Sequence, residues 1–141
     1  MSEITYTQEL SQINWNQLKS TLSQDNFDNG RNSEQLKQSL ENSYAVCLAL
    51  AQNTIIGTAR ALSDGVCNAY IVDVWTLSPF RRQGIATQMM QNLLSRLAGQ
   101  HVYLFTDNAA EFYAQLGFHQ QSVGMGQVVG NWLVASEQQV D

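Results

Sequence analysis

The run from Arg81 to Ala86 contains the residue types that bind a phosphate anion. It reads Arg-Arg-Gln-Gly-Ile-Ala and lies between a β-branched apolar segment and a long amphipathic one. A strand, a glycine-containing turn and a helix in this order present unpaired backbone N–H groups at the positive end of the helix dipole. Gly84 allows close approach of the backbone to a ligand, and Arg81 and Arg82 add positive charge. We therefore expect this run to bind pyrophosphate or a similar anion.

The composition predicts one globular domain over residues 1–141. The chain is 44% hydrophobic and carries a formal net charge of −5, which argues against nucleic-acid binding and suits a cationic amine substrate. No apolar run reaches the ~18 residues of a membrane span and no secretory signal is recognisable, so we expect a cytoplasmic protein without membrane contact. His101 and His119 have no partners at metal-ligand spacing, and we expect no metal site.

Hydrophobic periodicity predicts the element order β-α-α-β-β-β-α-β-α-β-β. The predicted strands cover residues 4–10, 44–50, 54–62, 69–77 and 101–106, with two more in 118–134. The predicted helices cover 14–22, a short segment capped by Asn32 or Ser33, 85–99 and 109–116. The helix between the fourth and fifth strands favours a parallel pair. The fold class is thus α+β, with a mixed, mostly antiparallel sheet of about six to seven strands and about four helices.

Three segments resemble the GNAT superfamily of acetyl-CoA-dependent acyltransferases. The first is the predicted strand 71–77 followed by the loop Arg81–Ala86. The second is Phe-Tyr-Ala-Gln-Leu-Gly-Phe at 112–118, and the third is the run 60–65 leading into 71–74. The third is similar to a small bacterial and plant subgroup that includes amine N-acetyltransferases. The resemblance implies the three-layer GNAT fold, in which the strand before the loop splays away from its parallel neighbour and binds the pantetheine arm.

The resemblance also implies site residues. Backbone groups of Val74, Trp75 and Thr76 would bind pantetheine, with acetyl-CoA as co-substrate. The pyrophosphate cradle would be formed by Arg81, Arg82, Gln83, Gly84, Ile85, Ala86 and Thr87. Asn108 would contact CoA, although with Glu111 it also fits a helix capping box. Tyr113 would protonate the departing thiolate, and the alternative is that its helical spacing reflects core packing.

The sequence does not identify a clear general base. Asp73 lies in the predicted central strand, and an isolated buried carboxylate there would be a good proton acceptor, acting directly or through water. The alternative is that Asp73 is a buried structural acid. Asp64, Asp107 and His101 are weaker candidates for the base.

We expect an N-acetyltransferase that transfers the acetyl group to a primary amine of a small molecule by direct attack in a ternary complex. Two alternatives remain: a CoA-binding module of the same fold without turnover, and a protein or peptide N-acetyltransferase. The resemblance further implies a possible homodimer formed through residues Val128–Val134.

Overall fold

The computed structural model describes residues 3–133, which form five strands, four α-helices and one 3₁₀ turn. The strands are β1 (Ile4–Thr7), β2 (Ala45–Ala51), β3 (Thr54–Ser63), β4 (Asn68–Thr76) and β5 (His101–Tyr103). The helices are α1 (Trp15–Gln24), α2 (Ser33–Glu41), α3 (Ile85–Ser95) and α4 (Ala110–Gln115), and the 3₁₀ turn is Ser78–Phe80. The chain divides into two compact units between Phe105 and Thr106. A single domain over 1–141 stays a prediction.

The strands form one mixed sheet in the order β1-β2-β3-β4-β5. The first four are antiparallel, and β4 pairs with β5 in parallel, as the sequence predicted. The predicted count of six to seven strands was too high for the described residues, because 118–133 contain no strand. Gly124, Gly126 and Gly130 interrupt that segment, and glycine weakens a strand interior. Val134, the end of the predicted dimer segment, lies outside the described residues.

The first compact unit has two layers of apolar packing, one on each face of the sheet. Helices α1 and α2 cover one face with a buried cluster of Leu18, Leu22, Leu36, Leu40, Val46, Leu48, Ile55 and Trp75. Helix α3 packs on β2, β3 and β4 and buries Ile85, Met89, Met90 and Leu93. Gly57 permits this close approach, since a Cβ there would lie 3.1 Å from the terminal methyl of Met89.

Helices α1 and α2 begin at asparagine caps. The Asn14 side chain accepts a hydrogen bond from the Gln17 N–H at 3.0 Å. Asn32, rather than Ser33, caps α2 and forms a reciprocal capping box with Gln35. The connection between the two helices, residues 25–32, begins with the Asp25 N–H bonded to the Thr21 and Leu22 carbonyls and ends at the Asn32 cap, and it supplies two of the charged side chains described below.

Candidate active site

Strand β5 ends at Tyr103 and pairs only with the first part of β4, and we call the edge of β4 beyond this pairing the diverging edge. Their pairing runs from Asn68 opposite His101 to Tyr70 opposite Tyr103, whereas β4 continues to Thr76. In the first compact unit, therefore, no strand is paired with this edge of β4 beyond Tyr70. The second half of β4 offers backbone hydrogen-bonding groups of the kind that an extended ligand can use.

A β-bulge interrupts β4 in this second half. The register with β3 shifts between Thr58 and Arg60, so that Asp73 and Val74 together lie opposite one residue of β3. Asp73 has φ of +58°, a left-handed conformation that few non-glycine residues adopt. The Thr58 hydroxyl donates to the Asp73 carbonyl at 2.8 Å. Bulges of this kind change the direction of backbone groups, often beside active sites.

The bulge changes which residues point their backbone groups toward β5. Before it, the Cys67 carbonyl accepts from the His101 N–H at 2.7 Å, so Cys67 points toward β5. After it, the Leu77 N–H donates to the Ile56 carbonyl at 2.8 Å, so Leu77 points toward β3. Because successive residues of a strand point to opposite edges, odd-numbered residues face β5 before the bulge and β3 after it.

Val74 and Thr76 consequently direct their backbone groups toward the diverging edge, and Trp75 directs its own toward β3. The Thr76 carbonyl already accepts a hydrogen bond from Arg81 Nε at 2.8 Å. The Thr76 hydroxyl oxygen is buried and has no hydrogen-bond partner among the described residues. The Trp75 side chain is 2% exposed and packs in the α1–α2 core.

The turn before α3 has the shape of an anion cradle. Arg82 and Gly84 both have positive φ, +65° and +82°, which curves successive N–H groups toward one side. The first bond of α3 runs from the Gln88 N–H to the Gly84 carbonyl at 3.1 Å, so the N–H groups of Ile85 to Thr87 have no partner within the helix. A Cβ at Gly84 would meet nothing within 4 Å, which leaves room for a ligand.

Asp25 connects α1 to the start of this turn. Its carboxylate accepts from the Trp75 indole at 2.8 Å, from Arg81 Nη2 at 2.9 Å and from the Ser78 hydroxyl. Burial raises the pKa of Asp25, but the hydrogen bonds from Ser78 and Trp75 and the charge of Arg81 together hold it below its ordinary value. Both Arg81 and Arg82 are exposed, but Arg81 is paired within the protein through Asp25.

The expected role of Asp73 as general base assumed an isolated buried carboxylate. In the structure, the Asp73 carboxylate has two arginine partners. Its Oδ2 accepts from Arg31 Nη1 and from Arg60 Nε, each at 2.7 Å. The side chains of Arg31, Asp73 and Arg60 are 6%, 12% and 13% exposed. This arrangement favours the structural alternative, and a role for Asp73 in proton transfer stays a prediction.

The weaker base candidates also have structural partners or an exposed position. The Asp64 carboxylate accepts from the N–H groups of Val66, Cys67 and Asn68, and these bonds lower its pKa. His101 stacks on Tyr103 with 4.1 Å between ring centroids, and its Nδ1 lies 2.9 Å from the Tyr103 hydroxyl. Asp107 is exposed.

Tyr113 and Asn108 belong to the second compact unit. Tyr113 lies in α4, with its ring edge-to-face against Phe112 and Phe118, and burial raises the pKa of its phenol. A tyrosine phenol is protonated near neutral pH, as a proton donor requires, and burial makes this one a weaker acid than a solvated tyrosine. The capping box predicted for Asn108 and Glu111 is wrong: Ala109 is the N-cap, and its N–H donates to the Thr106 hydroxyl at 3.0 Å. Asn108 is exposed, and its contact with CoA stays a prediction.

Residues 3–133 contain no group of three histidine, cysteine or acidic side chains placed to hold a metal ion. None of the helices in this range is long and apolar enough to traverse a lipid bilayer.

The sequence profile of the Acetyltransferase (GNAT) family matches residues 7–118. The chain belongs to this family. The predicted enzyme class, an acyltransferase, and the predicted fold agree with it. The match includes β4, the turn before α3 and Tyr113.

A histone acetyltransferase named TAP1, from Glycine max, is 35% identical over 78 residues, which are 52% of this chain. The match spans about a third of that relative, 34% of its length. A crystal structure of an acetyltransferase assigned to the same family, from Xanthomonas campestris pv. campestris, superposes with a TM-score of 0.78 at 22% identity, covering 94% of this chain and 99% of the other. An acetyltransferase from Clostridium acetobutylicum, solved with acetyl-CoA, gives 0.68 at 19% identity, covering 89% and 96%. These two likenesses show the fold.

Sequence reasoning missed Asp25 and Arg31. Both lie in the connection between α1 and α2, 50 and 42 residues from their main partners on β4, and no local spacing links them. Arg60 gave one usable signal, because it is the only charged residue in β3. An isolated charge in an otherwise apolar strand indicates a buried partner of opposite sign.

Proposed function

We propose that the protein transfers the acetyl group of acetyl-CoA to a primary amine of a small molecule. The observation that carries the proposal is the combination, within one compact unit, of the diverging edge of β4 and the amide-lined turn before α3. The first offers hydrogen bonds to an extended amide-containing arm, and the second offers N–H groups to a pyrophosphate. CoA contains both groups.

The residues present fit acetyl-CoA. The N–H groups of Ile85 to Thr87 and the open space at Gly84 suit the pyrophosphate, and Arg82 adds an exposed charge. The backbone of Val74 and Thr76 suits the pantetheine amides. The unpartnered Thr76 hydroxyl offers one further hydrogen bond.

The chemistry needs a polarised thioester carbonyl, a neutral amine and a proton for the leaving sulfur. A strand N–H such as that of Val74 can stabilise the developing oxyanion without reorganisation. The amine nitrogen attacks the carbonyl carbon, the carbon–sulfur bond breaks, and the amine gives up one proton to solvent water as the amide forms. In our proposal the Tyr113 hydroxyl donates a proton to the CoA thiolate and is later reprotonated from solvent. The products are the N-acetyl amine and CoA.

A small-molecule acceptor is supported by the charge of the protein. With a net charge of −5, the chain attracts cationic amines over a range limited by salt screening. A protein lysine acceptor is the second candidate, and the name of the Glycine max relative, a histone acetyltransferase, favours it. The two candidates differ in what must reach the β4 edge, since a peptide needs an extended groove and a small amine does not.

The test is incubation of the purified chain with acetyl-CoA and an acceptor panel, with the released CoA thiol measured. The panel contains a polyamine, an arylalkylamine, an amino sugar and a lysine-containing histone tail peptide. We expect thiol release with at least one small amine and none above background with the peptide. Acetylation of the peptide alone would favour the protein acceptor. Acetyl-CoA binding without thiol release across the panel would identify a binding module instead.

Tyr113→Phe tests the proposed proton donor. Loss of the hydroxyl should lower kcat by about 10²- to 10⁴-fold, the usual contribution of general acid catalysis, while the Kd for acetyl-CoA changes little. Phe112→Leu is the matched control, because it alters the ring contact of Tyr113 and keeps the hydroxyl. An unchanged kcat for Tyr113→Phe would remove Tyr113 from the mechanism.

A further inference from the structure

Arg31, Arg60 and Asp73 form a buried, charged cluster that takes no part in the acetyl-transfer steps proposed above. Two guanidinium groups and one carboxylate lie together with little exposure to solvent. Burial of charge opposes folding unless each group is well paired. Here both arginine bonds converge on one carboxylate oxygen, Oδ2 of Asp73. The position of that carboxylate is therefore held from two directions.

The backbone of the same residue is also held. Asp73 has φ of +58°, and such a conformation in a non-glycine residue persists only when the surrounding structure imposes it. The Thr58 hydroxyl fixes the Asp73 carbonyl at 2.8 Å, while the arginines fix the side chain. Asp73 is the first residue of the bulge that directs Val74 toward the diverging edge.

Each arginine is anchored at a second point. Arg31 Nε donates to the Asp28 carbonyl at 3.1 Å, and its Nη1 lies 3.5 Å from the Ser39 hydroxyl on α2. Arg60 Nη1 donates to the Ser43 hydroxyl at 3.3 Å. The cluster thus ties three elements to the bulge: the α1–α2 connection, α2 and β3.

We propose that Arg31 and Arg60 are positioning residues: by clamping the Asp73 carboxylate they fix the β4 bulge, which points the Val74 N–H at the thioester carbonyl. The inference rests on the proposed acetyl transfer for its catalytic consequence. Its structural half, a bulge held by two arginines, does not depend on that reaction.

A positioning residue and a general base require different properties of the side chain at position 73. A positioning residue needs two acceptor contacts and tolerance of positive φ, and asparagine meets both requirements. A base needs a carboxylate that exchanges a proton, which asparagine cannot supply. Glycine accepts positive φ but has no side chain for the arginines to hold.

The kinetic test compares Arg31→Met with the control Arg96→Met. Arg96 is another arginine with part-buried contacts to the sheet, donating to the Val46 carbonyl at 2.7 Å, but it does not contact the bulge. A misdirected oxyanion donor should lower kcat by about 10- to 100-fold in Arg31→Met, with less than a threefold change in the Kd for acetyl-CoA. Arg96→Met should keep the wild-type kcat. If Arg31→Met does not fold, Arg31→Lys replaces it and should show a smaller loss of kcat.

The second test compares Asp73→Asn with Asp73→Gly. The clamp predicts that asparagine keeps kcat within about fivefold of the wild-type value and an unchanged pH profile, whereas glycine loses about tenfold or more. A loss of similar size in both variants, together with loss of the acidic limb of the pH profile, where kcat rises with pH as a base loses its proton, would show that Asp73 is the base and would overturn the inference.

Hydrogen exchange of residues 72–75 separates this inference from the proposed function. Arg31→Met should raise amide exchange in that segment by at least tenfold, and Arg96→Met should not. Unchanged exchange in Arg31→Met would overturn the clamp whether or not the enzyme is active. If exchange rises in Arg31→Met but the wild-type protein releases no CoA thiol with any acceptor, the clamp is upheld and the proposed acetyl transfer is rejected.

Discussion

Two aspartates connect the α1–α2 region to β4, and they do so in different surroundings. Asp73 and Arg31 form a pair at 2.7 Å with side chains that are 12% and 6% exposed. Asp25 and Arg81 form a pair at 2.9 Å, but the Arg81 side chain is 52% exposed. The similar distances conceal a large difference in solvation, and solvation decides how much an ion pair contributes.

The difference assigns a separate task to each cluster. The Asp73 cluster is buried, has an excess of one positive charge and includes a residue with positive φ in the middle of β4. The Asp25 cluster mixes neutral donors with one solvated arginine and fixes the direction in which the chain leaves β4 for the turn before α3. In our proposal, the former positions the acyl end of the site and the latter positions the pyrophosphate end.

The largest expected effect on stability belongs to the buried cluster. Arg31→Met should lower the free energy of unfolding by about 2–4 kcal/mol, because the part-buried hydrogen bonds of Arg31 to the Asp73 carboxylate and to the Asp28 carbonyl are lost. Urea denaturation monitored by tryptophan fluorescence measures this change. A loss below about 1 kcal/mol would mean that the two clusters do not differ in the way we describe.

An intermediate effect, dependent on pH, belongs to Asp25. Its pKa is lowered in the folded state, so the carboxylate stabilises the fold fully above about pH 4, the ordinary range of aspartate. This contribution disappears as the pH falls from there through the lowered folded-state pKa. Asp25→Asn should therefore cost about 1–3 kcal/mol at pH 7, and the gap from wild type should narrow below pH 4. A gap that stays constant down to the acid transition would contradict this assignment.

The smallest effect belongs to the solvated arginine. Arg81→Met should lower the free energy of unfolding by no more than about 1 kcal/mol, because a half-exposed ion pair is screened by water and salt. The same denaturation experiment, repeated in 0.5 M NaCl, should show an even smaller difference. A loss as large as that of Arg31→Met would remove the distinction between the clusters.

Local sequence signals predicted most of the first compact unit. The strands β2 to β4 and the helix α3 follow from periodicity, and the turn with Gly84 follows from its position between them. The prediction of two strands around the turn at Gly124–Gly126 was wrong for residues 118–133, which contain no strand. That segment contains several glycines and is mostly exposed, so it lacks the buried face that stabilises a strand.

The Asp73 and Asp25 clusters could not be predicted from local sequence patterns, because their members are far apart in the sequence. Arg31 follows Gly30 in a polar turn, where an arginine is ordinarily a solvated surface residue. Its burial results from tertiary packing of α2 over the sheet, and the positive φ of Asp73 results from a bulge that no sequence pattern marks. The chemistry expected of the backbone was predictable because a helix N-terminus has the same unpaired groups in every sequence.

The central claim is that the turn before α3 binds the pyrophosphate of acetyl-CoA. Calorimetric titration of acetyl-CoA into the wild-type chain and into Gly84→Asp tests it most directly. The wild type should bind one equivalent, and the variant should show no measurable binding, because an aspartate adds bulk and negative charge at the cradle, where a Cβ would otherwise have open space. Gln88→Asp, one turn into α3, is the control and should bind. Equal affinity of wild type and Gly84→Asp would contradict the account.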